Sequence, residues 1–344
     1  MSNPDMPMGP AQASHATMPR VRSFANEAPV LALVLAGCAG LIVVFMGNSF
    51  AQNLLATTFL FAALSTSWNI IGGLGGQFSL GHSVFFAFGA YIAARMHLDL
   101  GLSPWLALLP AAAIAAAFSM LVSWPVFRLR GPFFAIATMA MTEVVLALAM
   151  YFTPITGGAQ GLSIPFKAGL HNMIFRDRMS YAILMLGFLA VALIAMAAVT
   201  RSRLGYQLRA VHDNEDTAEA AGIDVLRTKL VGMGISAALT ACGGVLFLMY
   251  VRVVDPPSLF SLFDIGVKIA LIALIGGIGT IYGPLLGALL VVPLEGMLRA
   301  ELGGMMPGSN LIVLGTILVL TAMYLRRGIA GTATDMFHRV RGGK

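Results

Sequence analysis

The side chains able to carry charge or move a proton are sparse in this sequence, and none falls into a spacing that makes an enzyme site. There is no GxxxxGK[ST] phosphate loop, so the sequence shows no evident means of hydrolysing ATP itself. No HExxH helix, no Ser-His-Asp arrangement and no paired carboxylates within an apolar stretch occur either. Cys38 and Cys242 both lie in apolar runs and outside any metal-ligand spacing, so neither a disulfide nor a metal site is expected. The chemistry left is recognition and passage. Glu143 reads as the one acidic side chain near the middle of an apolar span, eleven positions after Pro132, or about 16 Å of helix. A charge at that depth is costly, so it lines a wet cavity, finds a partner, or stays protonated as a packing group beside Thr138 and Thr142. Asn69 and Gln77 flank the cluster Gly72-Gly73-Leu74-Gly75-Gly76 and offer hydrogen bonds either to a passing polar solute or to the backbone of a broken helix. His82 follows Gly81 at the start of a span, where a histidine caps or packs as readily as it lines a path. Lys268, placed near the outer end of its span, is expected to snorkel.

These residues sit in a chain whose composition settles its solvent. Hydrophobic residues make up 58% of the 344 positions and the mean hydropathy is +0.86, against about 45–50% apolar content in soluble domains. Apolar runs long enough for membrane helices recur, which predicts an all-α integral membrane protein rather than a barrel. The formal charge of +6 is spread over loop ends without an aromatic-interleaved basic patch, which excludes nucleic acid as a partner. Spans are read at 30–46, 54–71, 79–97, 105–124, 132–152, 180–200, 228–251, 264–279, 281–298 and 309–325, about ten helices. Some are broken at Gly or Pro, above all at Gly276-Gly277-Ile278-Gly279-Thr280 and Gly283-Pro284, and such interruptions often line a pathway. The matching cluster at 72–76 makes duplicated halves possible. With ten spans, Arg20/Arg22, Arg128/Arg130, the stretch 201–229 and the basic end of the chain all fall on the cytoplasmic side. Residues 1–27 are expected to be a disordered cytoplasmic tail, 28–327 a membrane domain, and 328–344 a basic cytoplasmic tail. Leu35-Ala36-Gly37-Cys38 has the look of a lipoprotein cleavage box, but the apolar run continues to Met46, so a retained first helix is expected.

Between two apolar runs lies a hydrophilic island, Arg201 to Lys229, with five basic and five acidic residues that cannot sit in hydrocarbon. Asp213 as N-cap, Glu215 and Asp216 in the first turn and Gly222 at the end write a helix of about two turns. So short a helix is marginal alone and owes its order to docking.

Five stretches then carry a resemblance. Trp68 to Gly73 running into Gly76-Gln77-Phe78-Ser79-Leu80-Gly81-His82, Arg130 to Thr138, and Thr156-Gly157-Gly158 with Gly161-Leu162 are three of them. The others are Gly205 to Ala210 with Asp213-Asn214-Glu215 and Ala221-Gly222-Ile223, and Ile275 to Thr280 with Gly283-Pro284 and Gly287-Ala288. Together they resemble the LivM-type permease subunit of branched-chain amino-acid ABC transporters, in order from residue 68 to 288. Val211-His212 departs from the Ile-Arg-like pair common in such loops.

The resemblance implies one half of an importer permease in a bacterial inner membrane, with both termini cytoplasmic. It would pair with a second similar permease, two ATPase subunits that bind the ATP-Mg, and a periplasmic substrate-binding protein that docks on outer loops such as 153–179. This chain would bind no cofactor and catalyse nothing. The short helix would be a coupling helix in a groove of the ATPase, with Gly205, Arg209, Asn214, Glu215, Ala218, Ala221 and Gly222 at the contact. Asn69, Gln77, His82, Glu143, Gly276, Gly277 and Gly279 are the candidates for the path. A stand-alone channel or ion-coupled secondary transporter is the other reading, and a membrane scaffold a third that gives no reason for the broken helices.

Overall fold

The computed structural model describes residues 28–129, 131–302, 315–316 and 328–331. In chain order the helices are α1 (Ala28–Val44), α2 (Ser49–Asn69), α3 (His82–Leu100), α4 (Pro104–Val126), α5 (Pro132–Tyr151) and the single turn α6 (Thr153–Thr156). They continue with α7 (Arg178–Arg201), α8 (Arg203–Asp213), α9 (Glu215–Ala220), α10 (Val225–Val251), α11 (Pro256–Leu259), α12 (Lys268–Gly276) and α13 (Gly283–Leu302). One π-helical turn, Ile70–Leu74, extends α2, and another, Leu262–Val267, leads into α12.

Seven of these segments are long and apolar enough to cross a membrane, and Pro29–Val44 is a shorter apolar helix. The chain is an all-α integral membrane protein. Nine of the ten expected spans coincide with helices among the described residues. The tenth, 309–325, lies outside them apart from Gly315 and Thr316, as do the tail 1–27, Arg130 and most of the segment 328–344.

Helix ends are set by short polar side chains. Asn48 accepts from the N–H groups of Phe50 and Ala51, Asp177 from Ser180 at the start of α7, and Asp224 from Arg227 at the start of α10. Each satisfies a donor that the first helical turn leaves free. Within α2, Thr58, Thr66 and Ser67 donate to the carbonyls of Leu54, Ala62 and Ala63, so these hydroxyls are paired inside an apolar environment.

The bundle is built around α2, which packs along α7, α12 and α13, and α10, which packs along α3 and α4. Small residues let α3 and α10 touch backbone to backbone: a Cβ on Gly89 or Gly244 would overlap Ala241 and Phe86 across the seam. At the periphery, α4 and α5 keep outward apolar faces, with Leu106, Leu109, Leu121, Phe133, Ile136 and Val144 exposed.

The connections gather at two ends. One, the polar end, holds 70–81, 127–129, Gly131, 202–224 and 277–282. The opposite end carries the fold of 152–177: Leu162–Ser163 pairs antiparallel with Val253–Val254. Arg95 donates to the Ile155 and Pro154 carbonyls, and Trp105 to that of Leu170.

Candidate functional site at the polar end

The polar island folds as two helices, not one. Ser202 caps α8 by accepting from Gly205 N–H. The expected N-cap Asp213 is instead the last residue of α8, and Asn214 caps α9, accepting from Thr217 N–H at 2.9 Å. The reason is steric order: α8 runs on to Asp213, and Asn214 is the first residue in extended backbone, φ −162°, which the cap position needs. Gly222 ends the unit with φ +84°, as the sequence predicted.

Docking is what orders this unit. Glu215 pairs with Lys229 at 2.5 Å, and that ammonium is buried 5.8 Å from the centre of the Phe127 ring. Arg209 donates to the Thr200 carbonyl, Ala218 is buried, and Gly205 packs too close to Val199 and Thr200 to accept a side chain. Gly205, Arg209, Glu215 and Ala218 thus tie the unit to the bundle, while Asn214, Ala221 and Gly222 are exposed, together with Tyr206, Asp213, Thr217 and Ala220.

Directly beneath, α8 meets the first glycine cluster. Leu208 packs on Gly75 and Gly232, and the His212 ring lies against Gly76, where an added Cβ would sit 2.5 Å from a ring carbon. A cleft of about 300 Å³ opens here, lined by Gly75, Gly76, Gln77, Gly131 and the residues 211–216. Gln77 closes this loop on itself, its N–H donating to Ile71 and its side chain to Gly75.

The second glycine cluster meets the first. α12 ends at Gly276 and α13 begins at Gly283, and the turn between them is held by Asn69. Its side-chain oxygen accepts from Gly279 N–H at 2.8 Å, and its amide nitrogen donates to the Thr280 carbonyl at 2.8 Å. Gly73 lies beside the same turn: a Cβ there would stand 2.6 Å from Gly279 N. Gly328 in turn rests on Gly277. Two breaks more than 200 positions apart in sequence are one structure.

His82 lies one layer deeper and is fully buried. Its Nε2 is 2.8 Å from Ser236 Oγ and its Nδ1 3.2 Å from Ser79 Oγ, and Ser236 Oγ donates to the Ser67 carbonyl. This joins α3, α10 and α2. Trp68 closes the same layer by donating to the Ser79 carbonyl at 2.6 Å.

Glu143 is not brought to this assembly. It is exposed on α5, while Thr138 and Thr142 point inward: Thr138 accepts from Leu80 N–H and Thr142 donates to the Thr138 carbonyl. The threonines therefore do not shelter the carboxylate.

A charged group that the sequence reading overlooked is Glu295 in α13, so Glu143 is not the only carboxylate inside a span. Glu295 is buried and pairs with Lys268 at 2.5 Å and with Arg299 at 2.8 Å. Lys268 does not snorkel; its ammonium also stands 4.3 Å from the centre of the Phe61 ring. The signal was available: a lysine inside an apolar run needs a counter-ion, and Glu295 is the carboxylate in the run that follows. Among the described residues no cluster of side chains suits a metal ion.

The family model described as "Branched-chain amino acid transport system / permease component" matches residues 50–322. The high-affinity branched-chain amino acid transport system permease protein LivM of Escherichia coli K12 is 29% identical over 308 residues, covering 83% of this chain and 71% of that protein. LivH of the same organism is 24% identical, covering 83% of this chain and 96% of its own length. A nucleoside ABC transporter permease protein, NupB of Lactococcus lactis, is 35% identical over 112 residues, 31% of this chain and 30% of that protein. No solved structure matches. With the family match spanning both glycine clusters, the polar island and the helices between them, the chain belongs to the permease components of branched-chain amino acid transport systems.

Proposed function

We propose that the chain is one of two permease subunits of an ATP-driven importer for branched-chain or related amino acids and amides, and that its polar end faces the cytoplasm and receives a separate ATPase subunit. A second, similar permease, two ATPase subunits holding ATP-Mg, and a periplasmic binding protein complete the assembly in a bacterial inner membrane. The residues from 152 to 177, already folded onto α3, α4 and the strand after α10, supply the outer platform for the binding protein. Both termini lie in the cytoplasm. The chain catalyses no reaction; it forms half of a path whose candidates are Asn69, Gln77, His82, Glu143, Gly276, Gly277 and Gly279.

The observation that carries this reading is the continuity of contact from α8 to the α12–α13 turn. His212 rests on Gly76, the π-helical turn 70–74 joins that loop to Asn69, and Asn69 grips Gly279 and Thr280. Displacing α9 by closure of an ATPase dimer would therefore reach two span ends at once. A π-helical turn is rare and frequently found at functional sites, and here it lies between the docking unit and the grip. The exposed tips Asn214, Ala221 and Gly222 are the part of the unit free to meet another protein.

The test is to express the chain with its neighbouring genes, purify it in mild detergent and look for an ATPase subunit. The comparison replaces residues 215–221 by a flexible Gly/Ser stretch. Retention of the ATPase by the native chain and its loss from the variant is the expected result. A chain that purifies alone and conducts solute in vesicles without ATP would instead be a channel.

A further inference from the structure

Of the segments that can cross a membrane, α5 is the least enclosed, with 22% of its span inside the bundle. Phe134, Thr138, Thr142 and Ala149 form its inner stripe. On the outward side Ile136, Ala140, Glu143 and Ala147 are all exposed and follow one another at spacings of four, three and four, so they share one helix face. Glu143 is near the middle of this 20-residue helix.

A carboxylate presented there to acyl chains costs about 2.5–3.5 kcal/mol by insertion scales, so this face is not lipid-facing along its whole length. No cation among the described residues neutralises it either: the ion pairs that involve the spans join Glu295 with Lys268 and Arg299, and Lys229 with Glu215. Beside the carboxylate, Ala140 and Ala147 leave room one turn away on each side, and Ile136 adds an apolar contact. Room, one fixed negative charge and an apolar wall suit a zwitterion with an aliphatic side chain.

We propose that the Ile136–Ala140–Glu143–Ala147 stripe of α5 borders a water-filled pathway shared with the second permease, and that the Glu143 carboxylate receives the ammonium group of the passing amino acid. This rests on the importer reading above, which supplies the second subunit and the cargo class.

The experiment places single cysteines at Ala140 or Ala147 in the assembled complex, reconstituted in lipid nanodiscs, with the wild-type chain as blank for Cys38 and Cys242. Water-soluble cationic and anionic thiosulfonates of similar size are compared. The expected result is that both reagents react, the cationic one about tenfold faster, since a fixed charge in a wet cleft concentrates counter-ions by 10-fold or more. In the Glu143→Gln background the two rates should converge, and leucine should slow the cationic reagent only where Glu143 is present. Reaction with a lipid-soluble maleimide but with neither charged reagent would place the stripe in lipid and overturn the proposal. So would a dry seam, in which no reagent reacts and the cysteines cross-link to the second permease, or a rate ratio that Glu143→Gln leaves unchanged. ATPase retention in the same preparation is scored separately: its loss would sink the importer reading, whereas an unreactive stripe in an ATPase-bearing complex sinks only the role given to α5.

Discussion

The side-chain oxygen of Asn69 accepts a hydrogen bond from the backbone N–H of Gly279, 210 positions later, at 2.8 Å. With the return bond from its amide to Thr280, Asn69 satisfies both a donor and an acceptor of a turn whose backbone has no helix to pair with. α2 and the α12–α13 hairpin are therefore fastened at their polar ends by one side chain.

Asn69→Ala leaves both backbone groups without that partner, at about 1–3 kcal/mol for each group that stays buried. The variant should insert and assemble but melt lower. If the grip transmits motion, the ratio of solute moved to ATP hydrolysed should fall about tenfold, as a lost coupling of roughly 1.4 kcal/mol would give. Asn69→Asp keeps the acceptor and should recover part of the stability. Uptake and ATP hydrolysis measured in the same vesicles decide it: an unchanged ratio with a lowered melting temperature would reduce Asn69 to a structural clamp.

Gly276 and Gly187 make a paired test of helix approach. A Cβ on Gly276 would overlap the Gly283 carbonyl and stand 2.9 Å from Gly287 N, whereas nothing lies within 4 Å of one on Gly187. Gly276→Ala should force α12 from α13 and cost about 1–3 kcal/mol, as overpacking does. Gly187→Ala, in the exposed part of α7, should be neutral or stabilise by up to about 1 kcal/mol. Thermal unfolding in detergent, followed by size-exclusion chromatography, reads both.

Much of this architecture was legible because the membrane leaves few choices: a long apolar run must be a helix, so nine spans, the break at Gly276-Gly277 and the docked polar island could be read directly. What was not legible depends on three-dimensional neighbours. Asn69 and Gly279 are far apart in sequence, and no local pattern says that they meet. Asp213 and Asn214 are both good N-caps, and the choice between them was made by how far α8 extends. Glu295 escaped notice beside the long hydrophobic stretch of α13, although Lys268 required a partner. Which face of α5 carries Glu143 depends on helix packing, and only the structure separates it from Thr138 and Thr142.

The two alanines of the polar island should behave differently. Ala218 is buried under α9, and Ala221 is exposed beyond its end. Ala218→Glu puts a carboxylate where only a methyl fits, so it should loosen the unit and open residues 202–224 to limited proteolysis. Ala221→Glu should leave the proteolytic pattern unchanged and weaken retention of the ATPase. If Ala221→Glu retains the ATPase and transports normally, the contact lies elsewhere on the polar end.

The ion pair between α12 and α13 should respond asymmetrically to losing each partner. Glu295 serves two cations, Lys268 and Arg299, whose side chains are 13% and 64% exposed. Removing the carboxylate by Glu295→Leu strands the Lys268 ammonium over Phe61, where desolvation is uncompensated; breaking a buried pair in this way costs about 3–5 kcal/mol. Lys268→Met is milder, because Arg299 still neutralises Glu295 and can follow it toward the surface. The double replacement Lys268→Met with Glu295→Leu removes both charges from the interior, so it should recover most of the stability lost in Glu295→Leu. The order of melting temperatures should therefore be wild type and double variant highest, Lys268→Met next, Glu295→Leu lowest. Should Glu295→Leu melt like the wild type, the pair does not hold the hairpin together.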